Sequence, residues 1–79
     1  MERFRAGLMS RHAWAEARHE KISVEMISQT YDDPDDRRTS AHDVWREIRT
    51  RWFGGQAVEV VVDLTDDRVV TVWRRGERS

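Results

Sequence analysis

Two runs of β-branched residues, at 57–64 and 68–75, flank a polar turn near the end of the chain. Such runs are typical of strands, and the turn between them predicts an antiparallel hairpin. The turn lacks the glycine that two-residue hairpin loops favour, so we expect a longer loop. With that loop, Thr71 and Trp73 lie on the opposite face from a buried row made of Val58, Val60, Leu64, Val70 and Val72.

Two helical patterns come before the hairpin. Ser10 and Ser23 are suited to cap helices, the first running to about Lys21. The second helix is expected to end at Asp33-Pro34, because the residue before a proline avoids helical backbone angles. The spacing of apolar residues predicts the core positions of the two helices, which are Ala13, Trp14, Ala17, Val24, Ile27 and Tyr31.

Residues 44–53 fit either a helix or a strand, because Val44, Ile48 and Trp52 recur at a spacing that suits both. The aromatic and β-branched composition, followed by Gly54-Gly55, favours a strand. A short edge strand is expected at 37–40. The pattern predicts an α+β fold with two N-terminal helices packed on a three- to four-stranded antiparallel β-meander. We expect one domain over residues 10–75, a flexible lead-in at 1–9 and a tail at 76–79.

Composition restricts the classes of function. The net charge of −1 provides no bulk attraction to nucleic acid, yet thirteen of the fourteen basic residues are arginine, which suits bidentate phosphate contacts. The chain has no cysteine, which excludes disulfides and thiolate metal sites. It also has no apolar run near the ~20 residues of a membrane span. We therefore expect a cytoplasmic protein that needs no cofactor and does not contact a membrane.

Five short motifs follow one another along residues 10–75: His12-Ala13, Lys21-Ile22-Ser23, Asp33-Pro34, Gly54-Gly55 and the stretch from Val69 to Trp73. Together they resemble a family of small bacterial and phage domains of unknown function, grouped with the BrnT and RelE-type toxins. The resemblance implies a helix pair on a small antiparallel sheet. In the wider group it also implies metal-independent endoribonucleases, with acid–base and phosphate-binding residues on the first helix and the sheet.

His12, Glu16 and His19 share one side of the first predicted helix. A histidine can exchange a proton with a ribose hydroxyl or a leaving oxygen, and Glu16 could orient the imidazole of His12. An exposed polar helix face explains the same pattern without any chemistry. Our hypothesis is a toxin-like ribonuclease that cleaves RNA by 2′-hydroxyl transesterification without metal. In it, His12 is the acid–base, Glu16 orients it, and Arg18 with Arg49 holds the phosphate.

Further candidates for contacting RNA are Arg46, Arg51, Thr71 and Trp73, because arginine binds phosphate and tryptophan stacks on bases. The alternative hypothesis is a non-catalytic interaction or regulatory module of the same fold. It would bind an antitoxin-like protein or a second copy through Trp45, Trp52 and Trp73, since tryptophan is enriched at interface hot spots. An enzyme should expose His12 in a basic cleft. A module should expose an apolar tryptophan patch with His12 far from arginine.

Overall fold

The computed structural model describes residues 3–76. These residues form a 3₁₀ turn (Ala6–Leu8), helices α1 (Arg11–His19) and α2 (Val24–Asp32), and strands β1 (Asp36–Thr39), β2 (Arg46–Phe53), β3 (Gln56–Asp63) and β4 (Arg68–Arg75). The strands form an antiparallel meander in the order β1-β2-β3-β4. The predicted α+β fold with two helices on an antiparallel sheet is confirmed, with four strands and with 46–53 as a strand.

Both helices begin at the predicted serine caps. The Ser10 hydroxyl oxygen accepts a hydrogen bond from the Ala13 backbone N–H at 3.0 Å, and the Ser23 hydroxyl accepts one from Met26 at 3.1 Å. Each cap satisfies one of the backbone donors that the first turn of a helix leaves unpaired. The predicted end of α2 is also confirmed, because its last residue is Asp32, just before Asp33-Pro34.

The end of α1 is a Schellman motif. The N–H of Ile22 donates to the carbonyl of Ala17 at 2.8 Å, and the N–H of Lys21 donates to the carbonyl of Arg18 at 3.2 Å. This arrangement requires a left-handed residue, and Lys21 takes that conformation with φ 57°. The motif reverses the chain into the short junction before α2.

The core lies between the two helices and one face of the sheet, where α1 packs on β4 and α2 packs on β3 and β2. The sheet contributes the buried residues Val58, Val60, Val62, Val69 and Val72, and the helices contribute Ala13, Ala17, Ile27 and Tyr31. Burial of each valine or isoleucine stabilises the fold by about 1.5–3 kcal/mol relative to exposure.

The register of the last hairpin is partly as predicted. Val60 lies opposite Val72, and Val61 opposite Thr71, so Val72 faces the core and Thr71 does not. A bulge between Val61 and Val62 then brings Val69 into the core. The prediction of a buried Val70 was therefore wrong, because the extra residue in β4 shifts the alternation by one.

Two other predicted core residues are exposed, and one is half-buried. Leu64 is exposed because it follows the last paired residue of β3 and lies in the turn. Val24 is exposed because it begins α2, whose buried positions start at Ile27. Trp14 is half-buried and packs against the core from α1. No helix within residues 3–76 is long and apolar enough to cross a membrane.

The segment before α1 packs against the core, which its sequence did not indicate. The ring of Phe4 meets that of Tyr31 edge-on with centroids 5.6 Å apart, and Met9 is buried and forms a parallel bridge with Val69. The predicted lead-in is therefore fixed by contacts from Phe4 onward. Residues 1–2 and 77–79, which include most of the predicted tail, lie outside the described residues.

Candidate functional site

Strand β2 turns its more apolar side away from the helices. Arg49 pairs with Val60, whose side chain is in the core, so Arg49 lies on the helix side of the sheet. Because side chains alternate along a strand, Ile48 and Trp52 lie on the other side. We call that surface the helix-free face. The register places on it Asp36, Arg38, Arg46, Ile48, Thr50, Trp52, Ala57, Glu59, Val61, Asp63, Thr71, Trp73 and Arg75.

The centre of the helix-free face is the carboxyl group of Glu59, which is 3% exposed. Its Oε2 accepts a hydrogen bond from the hydroxyl of Thr50 at 2.5 Å, and its Oε1 accepts one from the indole N–H of Trp73 at 2.8 Å. The guanidinium nitrogens of Arg38 and Arg75 lie 3.0 Å and 3.6 Å from Oε2. We call these five residues the Glu59 cluster.

Burial of the Glu59 carboxyl raises its pKa. Hydrogen bonds from Thr50, Trp73 and Arg38, together with the charge of Arg38, lower the pKa by more than burial raises it. The net result is a pKa below the usual value, so the group is a carboxylate at neutral pH. Two guanidinium groups therefore surround one buried negative charge, and Asp36, on the same face, brings a second carboxylate to within 3.8 Å of Arg38.

Arg38 and Arg75 are 42% and 56% exposed, so part of each guanidinium faces solvent. A guanidinium has five N–H donors, and Glu59 occupies only some of them. The cluster therefore combines a fixed indole ring with cationic donors that remain accessible. Such a surface can bind an anionic group and a flat ring side by side.

Helix α1 runs along the outer edge of β4. At one end, the Ser10 hydroxyl donates to the Val70 carbonyl at 2.9 Å. At the other end, a Glu20 carboxylate oxygen accepts the Arg74 backbone N–H at 3.2 Å, and the Arg74 guanidinium donates to the Glu20 carbonyl at 2.8 Å. These contacts fix the side of α1 that faces the edge of the sheet.

Two predicted catalytic residues, His12 and Glu16, lie one turn apart on α1. Each directly precedes a buried alanine, Ala13 or Ala17, so it is turned about 100° around the helix axis from the side that packs on the sheet. His12 is exposed and Glu16 is half-buried. The predicted RNA-contacting residues Thr71 and Trp73 lie on the helix-free face, on the opposite side of the sheet from α1.

The structure does not bring the other two predicted catalytic residues to His12 and Glu16. Arg18 follows Glu16 by two residues, about 200° around the helix axis, and is exposed on the other flank of α1. Arg49 is buried beneath α2, where it donates to the Tyr31 carbonyl at 2.9 Å and to Glu47 at 2.6 Å. Its guanidinium carbon also lies 4.5 Å from the Tyr31 ring centroid. Arg49 thus joins α2 to β2, and its predicted contact with phosphate stays a prediction.

The remaining predicted residues are spread over the molecule. Arg51 lies on the helix side and donates to the Asp33 carbonyl at 2.6 Å. Arg46 lies at one end of the helix-free face, with its Nε 3.7 Å from a carboxylate oxygen of Asp43. Trp52 and Trp73 share the helix-free face. Trp45 precedes β2, about 23 Å from Trp52 along the strand direction, so the three tryptophans do not form one patch.

Four members of the Glu59 cluster were missed from the sequence: Arg38, Thr50, Glu59 and Arg75. The available signal was Glu59 itself, a charged residue inside a run of valines. The predicted hairpin register already placed Trp73 on the same face as Glu59. Thr50 is nine residues from Glu59 and lies opposite it across the Gly54-Gly55 turn, whereas Arg38 belongs to β1 and reaches Glu59 only through the order of the strands in the sheet.

No protein-family model matches the chain, and comparisons with curated proteins and with solved structures give no significant match. The resemblance to the BrnT and RelE-type toxins therefore stays a prediction. Within residues 3–76, no group of three or more His, Asp or Glu side chains is arranged to hold a metal ion.

Proposed function

We propose that this domain binds single-stranded RNA on the helix-free face of its sheet. The observation that carries the proposal is the Glu59 cluster, in which one buried carboxylate positions the indole of Trp73 beside two half-exposed arginines. An RNA strand offers the two groups that such a surface can bind, since its bases are flat rings and its phosphates are anions. Each base that stacks on an aromatic side chain contributes about 1–3 kcal/mol of binding free energy.

Trp73 is already held in place before a ligand binds, and this favours tighter binding than a small surface with free side chains would give. A free indole or guanidinium loses side-chain entropy when it binds a ligand, at a cost of about 0.5–1.5 kcal/mol for each ordered side chain. Glu59 already holds Trp73, Arg38 and Arg75 through the contacts described above. Part of that cost is therefore met during folding rather than during binding.

The direction of the apolar side chains of β2 also supports a ligand on this face. Ile48 and Trp52 point away from the helices, whereas Arg49 and Glu47 point towards them. A strand that served only the core would bury Ile48 and Trp52 and expose the charged residues. Ile48, Trp52 and Val61 form an apolar surface beside the Glu59 cluster, and Thr71 lies opposite Val61 on the same face.

The test is the binding of a short fluorescein-labelled single-stranded RNA, measured by fluorescence anisotropy across a range of salt concentrations. Trp73→Ala should weaken binding by about 10-fold, which corresponds to the loss of one stacked base. Arg75→Gln should weaken binding and lower the slope of log K against log salt by about 0.7.

The matched control is Arg5→Gln, because Arg5 is an exposed arginine outside the helix-free face and its substitution makes the same change of charge. We expect Arg5→Gln to leave the salt slope nearly unchanged. Equal effects of Arg75→Gln and Arg5→Gln would mean that RNA responds only to overall charge. Wild type that does not bind the RNA would overturn the proposal.

RNA cleavage is a second candidate, favoured by the position of α1. That helix is held against β4 by contacts with Val70 and Arg74, and it carries His12 and Glu16 one turn apart. In this reaction His12 takes the proton of a ribose 2′-hydroxyl, whose oxygen then attacks the adjacent phosphorus. The bond to the 5′-oxygen breaks, that oxygen gains a proton, and a 2′,3′-cyclic phosphate remains on the other product.

Cleavage is tested with end-labelled RNA incubated in EDTA and separated on a denaturing gel. His12→Ala should lower the rate by about 100-fold or more, the usual effect of removing a positioned acid or base. His19→Ala is the matched control, since His19 is an exposed histidine near the other end of α1. If the RNA is bound but stays intact, the domain is a binding module without catalytic activity. Equal rates for wild type and His12→Ala would exclude this mechanism.

A further inference from the structure

A second surface, which we call the Trp45 patch, lies where β2 begins and β3 ends. It consists of Val44, Trp45 and Leu64, which are 73%, 61% and 42% exposed. The backbone N–H of Leu64 donates to the carbonyl of Trp45 at 2.7 Å, so the two segments are joined. An exposed group of large apolar side chains costs free energy in water unless another molecule covers it.

The backbone around the Trp45 patch is held by local hydrogen bonds. A carboxylate oxygen of Asp43 accepts the N–H of Trp45 at 2.8 Å, and the backbone carbonyl of Asp43 accepts the N–H of Arg46 at 3.0 Å. On the other segment, a carboxylate oxygen of Asp63 accepts both the N–H and the hydroxyl of Thr65. The patch is therefore pre-organised for contact, and its turns need little ordering when a partner binds.

The two segments that carry the Trp45 patch are acidic. The segments 43–46 and 63–68 contain four aspartates and two arginines, so their formal charges sum to −2. Hydrogen bonds from Thr65 lower the pKa of the Asp63 carboxyl, which keeps this group ionised in mild acid. The aspartates are Asp43, Asp63, Asp66 and Asp67, and the arginines are Arg46 and Arg68. An apolar centre with this rim is complementary to a segment that is both apolar and basic.

We propose that the Trp45 patch docks a short basic segment of a partner protein. Apolar side chains of that segment would cover Val44, Trp45 and Leu64, and its lysines or arginines would face the aspartates. The patch consists of three side chains, which favours a short segment over a second copy of this chain, because stable dimers bury about 800 Å² on each partner. This surface is separate from the helix-free face and does not depend on RNA binding.

The proposal is tested with two labelled synthetic peptides that share leucines at helical spacing and differ elsewhere, one carrying lysines and the other glutamates. Binding to the full chain is measured by fluorescence anisotropy at physiological salt. We expect the lysine peptide to bind at least about 10-fold more tightly than the glutamate peptide, a difference of about 1.4 kcal/mol. Trp45→Ser should weaken binding of the lysine peptide by a similar factor.

Leu64→Ser and Val24→Ser form a matched pair, because both remove an exposed apolar side chain and Val24 lies on α2, outside the patch. Leu64→Ser should weaken binding several-fold, and Val24→Ser should not change it. Asp66→Asn with Asp67→Asn should reduce the salt dependence and leave the fold intact, since asparagine tolerates the left-handed angle that Asp67 adopts.

Several outcomes would overturn the proposal. One is equal binding of the two peptides, or equal binding of the lysine peptide by wild type and Trp45→Ser. Another is a dimer of the wild type in sedimentation that dissociates in Trp45→Ser, which would assign the patch to a second copy.

One outcome would support the proposal. Loss of RNA binding in Trp73→Ala with normal peptide binding would separate this surface from the helix-free face.

Discussion

Replacement of Glu59 by glutamine tests the electrostatic centre of the sheet with little change in side-chain volume. The wild-type carboxylate receives hydrogen bonds from Thr50 and Trp73 and lies within 3.0 Å of Arg38 and 3.6 Å of Arg75. A glutamine retains one acceptor oxygen but presents an N–H₂ group where the second oxygen was. One of the N–H or O–H donors around position 59 then faces the amide N–H₂ group, and these two donors cannot form a hydrogen bond with each other.

The expected loss of stability is about 2–3 kcal/mol. Hydrogen bonds to a charged group contribute about 1.5–3 kcal/mol, and removing one partner of a buried ion pair costs about 3–5 kcal/mol. The loss should lie below the value for a fully buried ion pair, because Arg38 and Arg75 are 42% and 56% exposed and can turn towards water. For a domain of this size, the midpoint of thermal unfolding should fall by roughly 8–24 °C.

The effect should depend on pH in a defined direction. The pKa of Glu59 in the folded protein lies below its usual value of 4.5, so the ionised group stabilises the fold. That stabilisation is complete above the unfolded-state pKa and is lost as the pH falls through the folded-state pKa. The difference in unfolding free energy between wild type and Glu59→Gln should therefore be largest near neutral pH and should shrink below about pH 4.5.

The assay is urea denaturation monitored by circular dichroism at neutral and acidic pH. Glu25→Gln is the matched control, because Glu25 is an exposed glutamate in the first turn of α2 and should contribute less than about 1 kcal/mol. A loss below about 0.5 kcal/mol in Glu59→Gln, or a difference that does not change with pH, would refute the assigned network.

Three further predictions concern stability, each measured by urea denaturation. Ile27→Ala and Val60→Ala should each lower the free energy of unfolding by about 2–4 kcal/mol, because both side chains are fully buried and leave cavities; losses below about 0.5 kcal/mol would contradict the core. Lys21→Gly should raise it by about 0.5–1 kcal/mol by relieving a left-handed backbone, and any loss would contradict the helix end described. Arg49→Lys should lower it by about 1.5–3 kcal/mol without RNA present, because lysine cannot keep the contacts with Glu47 and Tyr31; an unchanged stability would leave Arg49 free for another role.

Local chemistry explains why the elements could be predicted from the sequence. Ser10 and Ser23 cap helices whichever sheet the helices pack on, and proline at position 34 limits α2 by its own geometry. The strands follow from valine-rich runs between turn residues. The bulge at Val61 and Val62 could not be predicted, because it depends on how β4 pairs with β3 rather than on either strand alone.

The candidate site was harder to predict because its members interact over long range. Alternation along β2 puts Arg49 and Arg51 on one side and Arg46, Ile48 and Trp52 on the other, but it does not show which side faces the helices. Arg49 lies on the helix side because the carbonyl of Tyr31, on α2, accepts its hydrogen bond and the Tyr31 ring lies against its guanidinium.

The contact between α1 and β4 has a consequence for synthesis of the chain on the ribosome. The first helix packs on the last strand, through pairs such as Ser10 with Val70, which are 60 residues apart, and Glu20 with Arg74, which are 54 apart. During translation α1 emerges first and has no surface to cover until β4 has left the exit tunnel. Folding of this domain is therefore expected to be completed only after β4 has left the exit tunnel, and a nascent chain stalled before Arg68 should remain sensitive to protease.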